Sequence, residues 1–146
     1  KGYREIDAFL NHPGLDLVDI CSPTATHSNL VAQALEAGKH VLCEKPITRT
    51  SDEATALLET IAKHPTYFMP AMCLRFWPEW LFLKKAIDGG AHAKTLAVRS
   101  RRVAEAPCWS QDRYLVGAQS GGPLLALHLH ATDFVQYCFC VPQSVS

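Results

Sequence analysis

Before residue 74 three stretches with helical spacing of apolar positions alternate with three strand-like ones. Tyr3, Ile6, Phe9 and Leu10 recur with a helical period, and His12-Pro13-Gly14 ends that pattern. Leu15 to Cys21 begins as an alternation and turns apolar, which predicts a strand. The loop Ser22 to His27 follows. Thr26 or His27 is placed to cap a helix that carries Leu30, Val31, Ala34 and Leu35 and stops at Gly38. His40 to Cys43 is a second strand. Ser51-Asp52-Glu53 opens a helix with Ala54, Leu57, Leu58 and Ile61 on one face, ended by His64-Pro65. Thr66 to Cys73 is a third strand, interrupted by Pro70. Strand, helix, strand, helix, strand with short loops predicts parallel pairing and right-handed crossovers.

The pattern changes after about residue 73. Trp80 to Ile87 predicts a helix closed by Gly89-Gly90, and Thr95 to Val103 a strand. Arg99 and Arg101 share one face of that strand by the period of two, and with Arg102 they read as its solvated side and edge. Pro107 to Gly122 is a polar loop, and Leu124 to Phe139 a long apolar helix.

Composition narrows the class. The chain has 146 residues, 48% hydrophobic and 19% charged, as expected of a globular protein with a real core. Lys+Arg and Asp+Glu are both 14, with no basic patch, so nucleic acid is not an expected partner. No apolar stretch is long enough for a bilayer, and no signal peptide is visible, so no membrane association and a cytoplasmic location are expected. The six cysteines (Cys21, Cys43, Cys73, Cys108, Cys138 and Cys140) include no Cys-x-x-Cys pair, which favours reduced thiols and no metal site.

The candidate chemistry lies in the run from Glu36 to Pro46. A helix ends at Gly38, a short strand follows, and Glu44, Lys45 and Pro46 stand at its carboxyl end. Ligands of open α/β sheets bind outside the carboxyl ends of the strands. Two readings stand side by side: Glu44 and Lys45 are solvated loop charges, or Lys45 is a partly desolvated proton donor facing a ligand.

Longer motifs carry a resemblance. Asp16-Leu-Val-Asp-Ile-Cys-Ser-Pro-Thr-x-x-His27 and Ala34-Leu-Glu-Ala-Gly-Lys-His-Val-Leu-Cys-Glu-Lys-Pro46 resemble the glucose–fructose oxidoreductase / inositol dehydrogenase (Gfo/Idh/MocA) family. Leu74-Arg-Phe-Trp-Pro78 is similar to that family's domain-junction segment. Ser120-Gly-Gly-Pro-Leu-Leu-Ala-Leu-His-Leu-His130-x-x-Asp133 is similar to its downstream His-containing segment.

The resemblance implies an α/β fold. Residues 1–73 would be the second half of a Rossmann doubly wound parallel sheet. Residues 74–146 would start an α+β C-terminal domain with an open sheet, through which the complete protein forms a homo-oligomer. It implies NAD or NADP as cofactor, a sugar, inositol or related polyol as substrate, and a cis bond before Pro46. Lys45 and His130 are then the catalytic residues. Ser22, Pro23, Thr24, His27, Glu44, Lys45 and Arg75 would border the cofactor, and Lys45, Trp109, Asp133 and His130 the substrate. Trp77, Trp80 and Trp109 are expected in the core or in the cleft wall.

Two departures qualify this. The chain holds no Gly-x-Gly-x-x-Gly turn, so it is expected to be a central piece of a longer protein, lacking strands 1 to 3. The family's Asp four residues before the His is Ala126 here. On a helix 126, 130 and 133 share a face, whereas His128 and His130 point about 200° apart, which argues against a His-x-His metal site. Three function classes follow: an NAD(P)-dependent oxidoreductase, an NAD-dependent glycoside hydrolase of the same superfamily, and a non-catalytic fragment.

Overall fold

The computed structural model describes residues 1–90, 93–101, 103, 116–122 and 124–145. Its centre is a three-stranded parallel sheet of β1 (Leu17–Ile20), β2 (His40–Cys43) and β3 (Phe68–Pro70), in that order. Leu17 pairs with His40 and Ile20 with Cys43, while Cys43 pairs with Pro70. The ladder runs one step further, with Glu44 N–H donating to Ile20 O at 2.9 Å and Ala71 N–H to Cys43 O at 2.8 Å. All three strands therefore end level, and the loops after β1 and β2 leave the same edge side by side.

Alternation along the strands decides what is buried. Val18, Ile20, Val41 and Cys43 point to one face and are buried; Leu17, Asp19 and Met69 point to the other and are exposed. The covering helices are α1 (Ile6–Leu10), α2 (His27–Glu36) and α3 (Ser51–Lys63). Val31, Ala34 and Leu35 of α2 are at most 1% exposed and join Leu10 and Leu57 in one apolar cluster with the strands. The helix starts and stops follow from local chemistry. Gly38 takes φ +72° after α2, a conformation without cost only for glycine, and its N–H returns to Leu35 O. Thr50 Oγ1 accepts from Glu53 N–H at the start of α3, and the Glu53 carboxylate accepts from Arg49 N–H in return.

Beyond the sheet, a 3-10 turn (Cys73–Phe76) leads into α4 (Pro78–Asp88), whose first residue is a proline that needs no N–H partner there. The short helix α5 (Gly117–Ser120) packs on the 3-10 turn Thr24–Thr26. A π-helical turn, Leu124–His128, then runs into α6 (Leu129–Phe139).

Several expectations change. The first helix begins at Ile6, and the third strand is confined to Phe68–Pro70 because Cys73 already belongs to the next turn. The strand expected over Thr95 to Val103 is absent among the described residues 93–101 and 103, where no second strand pairs with the segment, and a strand without a ladder is not one. The single long helix from Leu124 is instead a π turn joined to α6. Most of the Pro107 to Gly122 loop lies outside the described residues. No helix among the described residues is long and apolar enough to cross a membrane.

Because Leu35 is 0% exposed at the centre of the cluster, Leu35→Ala is expected to cost about 2–5 kcal/mol in urea unfolding. A loss under about 1 kcal/mol would contradict this packing.

Candidate active site at the carboxyl edge of the sheet

The level strand ends place two loops against each other, Cys21 to Thr26 after β1 and Glu44 to Thr50 after β2. In the first, Ser22 Oγ and Thr26 Oγ1 lie 2.6 Å apart, and Thr26 Oγ1 donates to Pro23 O at 2.8 Å. Thr26 holds the N-cap position of α2, but its hydroxyl serves the loop rather than a helix N–H. In the second loop the Lys45–Pro46 peptide is cis, as the resemblance implies. The Glu44 carboxylate accepts from Lys45 N–H at 3.1 Å.

His27 joins the two loops. It is 1% exposed; its Nδ1 lies 2.8 Å from Pro46 O and its Nε2 2.7 Å from Ser22 O. Both ring nitrogens are thus engaged by main-chain oxygens within the protein.

Lys45 reaches out of the loop in the other direction. Its Nζ donates to the carbonyl oxygen of Ala126 at 2.7 Å, inside the π-helical turn. A π turn shifts the usual i to i−4 pairing, and such turns recur at functional sites. His130 follows four residues later on α6, 5% exposed, while His128 is exposed and lies 3.3 Å from Thr132 Oγ1. The two histidines thus differ sharply in burial, as their opposite directions on a helix require. Gly121, φ +77°, lets the chain turn into this segment: a Cβ there would sit 2.5 Å from Leu125 Cδ1.

Arg75 and Asp133, expected to border cofactor and substrate, are brought to each other. Arg75 Nε donates to Oδ2 at 2.8 Å and Nη2 to Oδ1 at 2.6 Å, a two-pronged pair that fastens the 73–76 turn to α6. The carboxylate beside it holds the Arg75 guanidinium above its usual range. The Tyr137 ring lies 4.7 Å from the Arg75 guanidinium carbon and 4.9 Å from Lys84 Nζ. Trp80 packs edge-on to Phe134 and lines a cleft of about 430 Å³ among α4, α6 and the 93–101 segment, and Trp77 and Trp80 line a second cleft of about 210 Å³, so both are cleft-wall residues. Trp109 lies outside the described residues. No group of three metal-ligating side chains occurs among the described residues.

A family model described as an oxidoreductase family with an NAD-binding Rossmann fold matches residues 1–72, the segment that contains both loops. The chain belongs to the Gfo/Idh/MocA oxidoreductase family. It is 32% identical to myo-inositol 2-dehydrogenase of Thermotoga maritima, over 94% of this chain and 40% of that protein. It is 29% identical to levoglucosan dehydrogenase of Pseudarthrobacter phenanthrenivorans, over 89% of this chain and 34% of that protein. A structure of levoglucosan dehydrogenase in complex with NADH and levoglucosan superposes with TM-score 0.82 at 29% identity, covering 93% of this chain and 38% of that one. The chain therefore spans between about a third and two-fifths of the length of these relatives.

Main-chain acceptors are what sequence reading missed at this candidate site of a Gfo/Idh/MocA chain. The carbonyls of Ala126, Pro46 and Ser22 hold Lys45 and His27, and no side-chain pattern announces them. The same edge contains Cys43, 0% exposed, whose thiol burial pushes up to about 12, with Glu44 adding to the shift. At neutral pH iodoacetamide is expected to label exposed Cys73 and Cys140 and to spare Cys43 until the protein is unfolded. Rapid Cys43 labelling in the native protein, read by peptide mass mapping, would mean that the β2 edge opens.

Proposed function

We propose that this protein is an NAD-dependent oxidoreductase that oxidises a hydroxyl of a cyclic sugar or polyol. The observation that supports the reading most is the convergence of Lys45 and the His130 helix. A cationic donor from the sheet edge is held at a residue inside the turn leading to a buried histidine. The named dehydrogenases of inositol and levoglucosan supply the substrate class.

The residues present suit the nicotinamide side of such a cofactor. The loops after β1 and β2 leave the sheet edge side by side, with hydroxyls at Ser22, Thr24 and Thr26 in one and the Lys45 ammonium in the other, and ligands of open α/β sheets bind in the crevice outside such strand ends. Ser22, Pro23, Thr24, Glu44 and Lys45 would border it there. No Gly-x-Gly-x-x-Gly turn for a pyrophosphate occurs in the sequence. Bound in the crevice, the nicotinamide would supply the carbon that accepts hydride.

The protein's own contribution is placement and proton handling. The Lys45 ammonium can only donate hydrogen bonds, one of them to Ala126 O. A substrate oxygen that accepts from this ammonium would have its developing negative charge stabilised as its proton is removed, before hydride leaves the carbon. The hydroxyl proton needs a base, and His130 is the buried imidazole of this segment. The Arg75–Asp133 pair fixes α6 one turn beyond His130 and so sets where the imidazole stands. In this arrangement Arg75 and Asp133 act through the helix rather than on the ligands.

The test is NAD⁺ reduction with myo-inositol and with levoglucosan, comparing wild type with Lys45→Met and His130→Asn. The reading expects activity in the wild type and a loss on the order of 10²–10⁴-fold in each variant. Turnover that survives both substitutions, or none with any cyclic polyol, would rule it out.

A further inference from the structure

The His27 ring raises a question of donors. Both its neighbours, Ser22 O and Pro46 O, are carbonyl oxygens, at 2.7 Å and 2.8 Å, and a carbonyl oxygen only accepts. A neutral imidazole has one N–H and one lone pair. It can satisfy one of these oxygens, and it then sets its lone pair against the other at hydrogen-bonding distance. Only the ring with both nitrogens protonated donates to both. At 1% exposure no water competes for either nitrogen.

The position of the two oxygens gives this a consequence. Ser22 O belongs to the loop after β1 and Pro46 O to the loop after β2, the two loops at the carboxyl edge of the sheet. Pro46 follows Lys45 directly, so a tie to Pro46 O limits how the backbone under Lys45 moves. We propose that His27 is a positioning residue for Lys45, donating from both ring nitrogens to clasp the two loops into one rigid wall. Its importance for hydride transfer rests on the function proposed above; the clasp itself does not.

The elements that pack against α2, and the loops beside them, carry charges of both signs. Asp19 and Cys21 lie at the end of β1, and Cys43, Glu44 and Lys45 on β2 and its loop. Arg49, Asp52 and Glu53 stand at the start of α3, which packs on α2. The helix α5, which packs on the Thr24–Thr26 turn, carries no ionisable side chain.

The experiment is a long-range ¹H–¹⁵N spectrum of the imidazole rings in the whole chain at neutral pH, with the His27 signals assigned by their loss in His27→Gln. Two protonated nitrogens are expected. In His27→Phe, the amides of Thr24, Lys45 and Ile47 and the carbonyl carbon of Ala126 are expected to shift together, and by less in His27→Gln, which keeps an N–H donor. One protonated nitrogen in the wild type, or shifts confined to one loop, overturns the proposal. If His27→Phe does not fold, the wild-type ring spectrum decides alone. None of these readouts involves the cofactor, so absence of hydride transfer would leave them standing.

Discussion

The hydrogen bond from Lys45 Nζ to Ala126 O joins positions 81 residues apart and ties the sheet edge to the final helix. A hydrogen bond from a charged donor contributes about 1.5–3 kcal/mol, enough to matter for a loop that is otherwise held by its own polar contacts. It depends on events at both ends. On the sheet side, parallel register brings Ile20, Cys43 and Pro70 level, so that Lys45 leaves β2 beside the β1 loop. On the helix side, the π turn offers a carbonyl oxygen outward, and the Arg75–Asp133 pair holds α6 in place behind it.

Burial and exposure divide the work between the two faces of the sheet. Val18, Ile20, Val41 and Cys43 face α2 and α3 and form the rigid layer, with Leu35 and Val31 filling it. That layer fixes the strand ends, and the strand ends fix the loops. The polar residues of the loops then satisfy one another through Ser22, Thr26, Glu44 and His27, leaving Lys45 as the side chain that spans the gap to Ala126. A site of this type gains precision from the elements that support it rather than from the loops alone.

Much of this was legible in the order of residues. Alternation at Val18 and Ile20, the helical period through Val31, Ala34 and Leu35, and Gly38 at the helix end located β1, α2 and the turn, because those patterns report which side chains meet the core. The Glu44-Lys45-Pro46 run marked the carboxyl end of β2, where the structure places it. What stayed hidden has a common physical origin. Ala126 acts through its main chain, so its side chain carries no signal of it. Asp133 and Arg75 have the chemistry of ligand contacts, and only their spatial pairing shows that they bind each other. The segment from Thr95 has the composition of a strand, but strand formation depends on a partner, and sequence composition does not say whether one is there.

The claim that one site is assembled from both parts of the chain rests on the Lys45–Ala126 bond. The most direct measurement is the carbonyl ¹³C shift of Ala126 and the amide ¹⁵N shift of Leu127, compared between wild type and Lys45→Met without any ligand. Loss of a charged donor from that carbonyl should move both resonances, with residues of α6 following to a smaller degree. Unchanged Ala126 and Leu127 signals, in a variant whose sheet resonances are intact, would show that Lys45 does not reach the helix and that the site is not built this way.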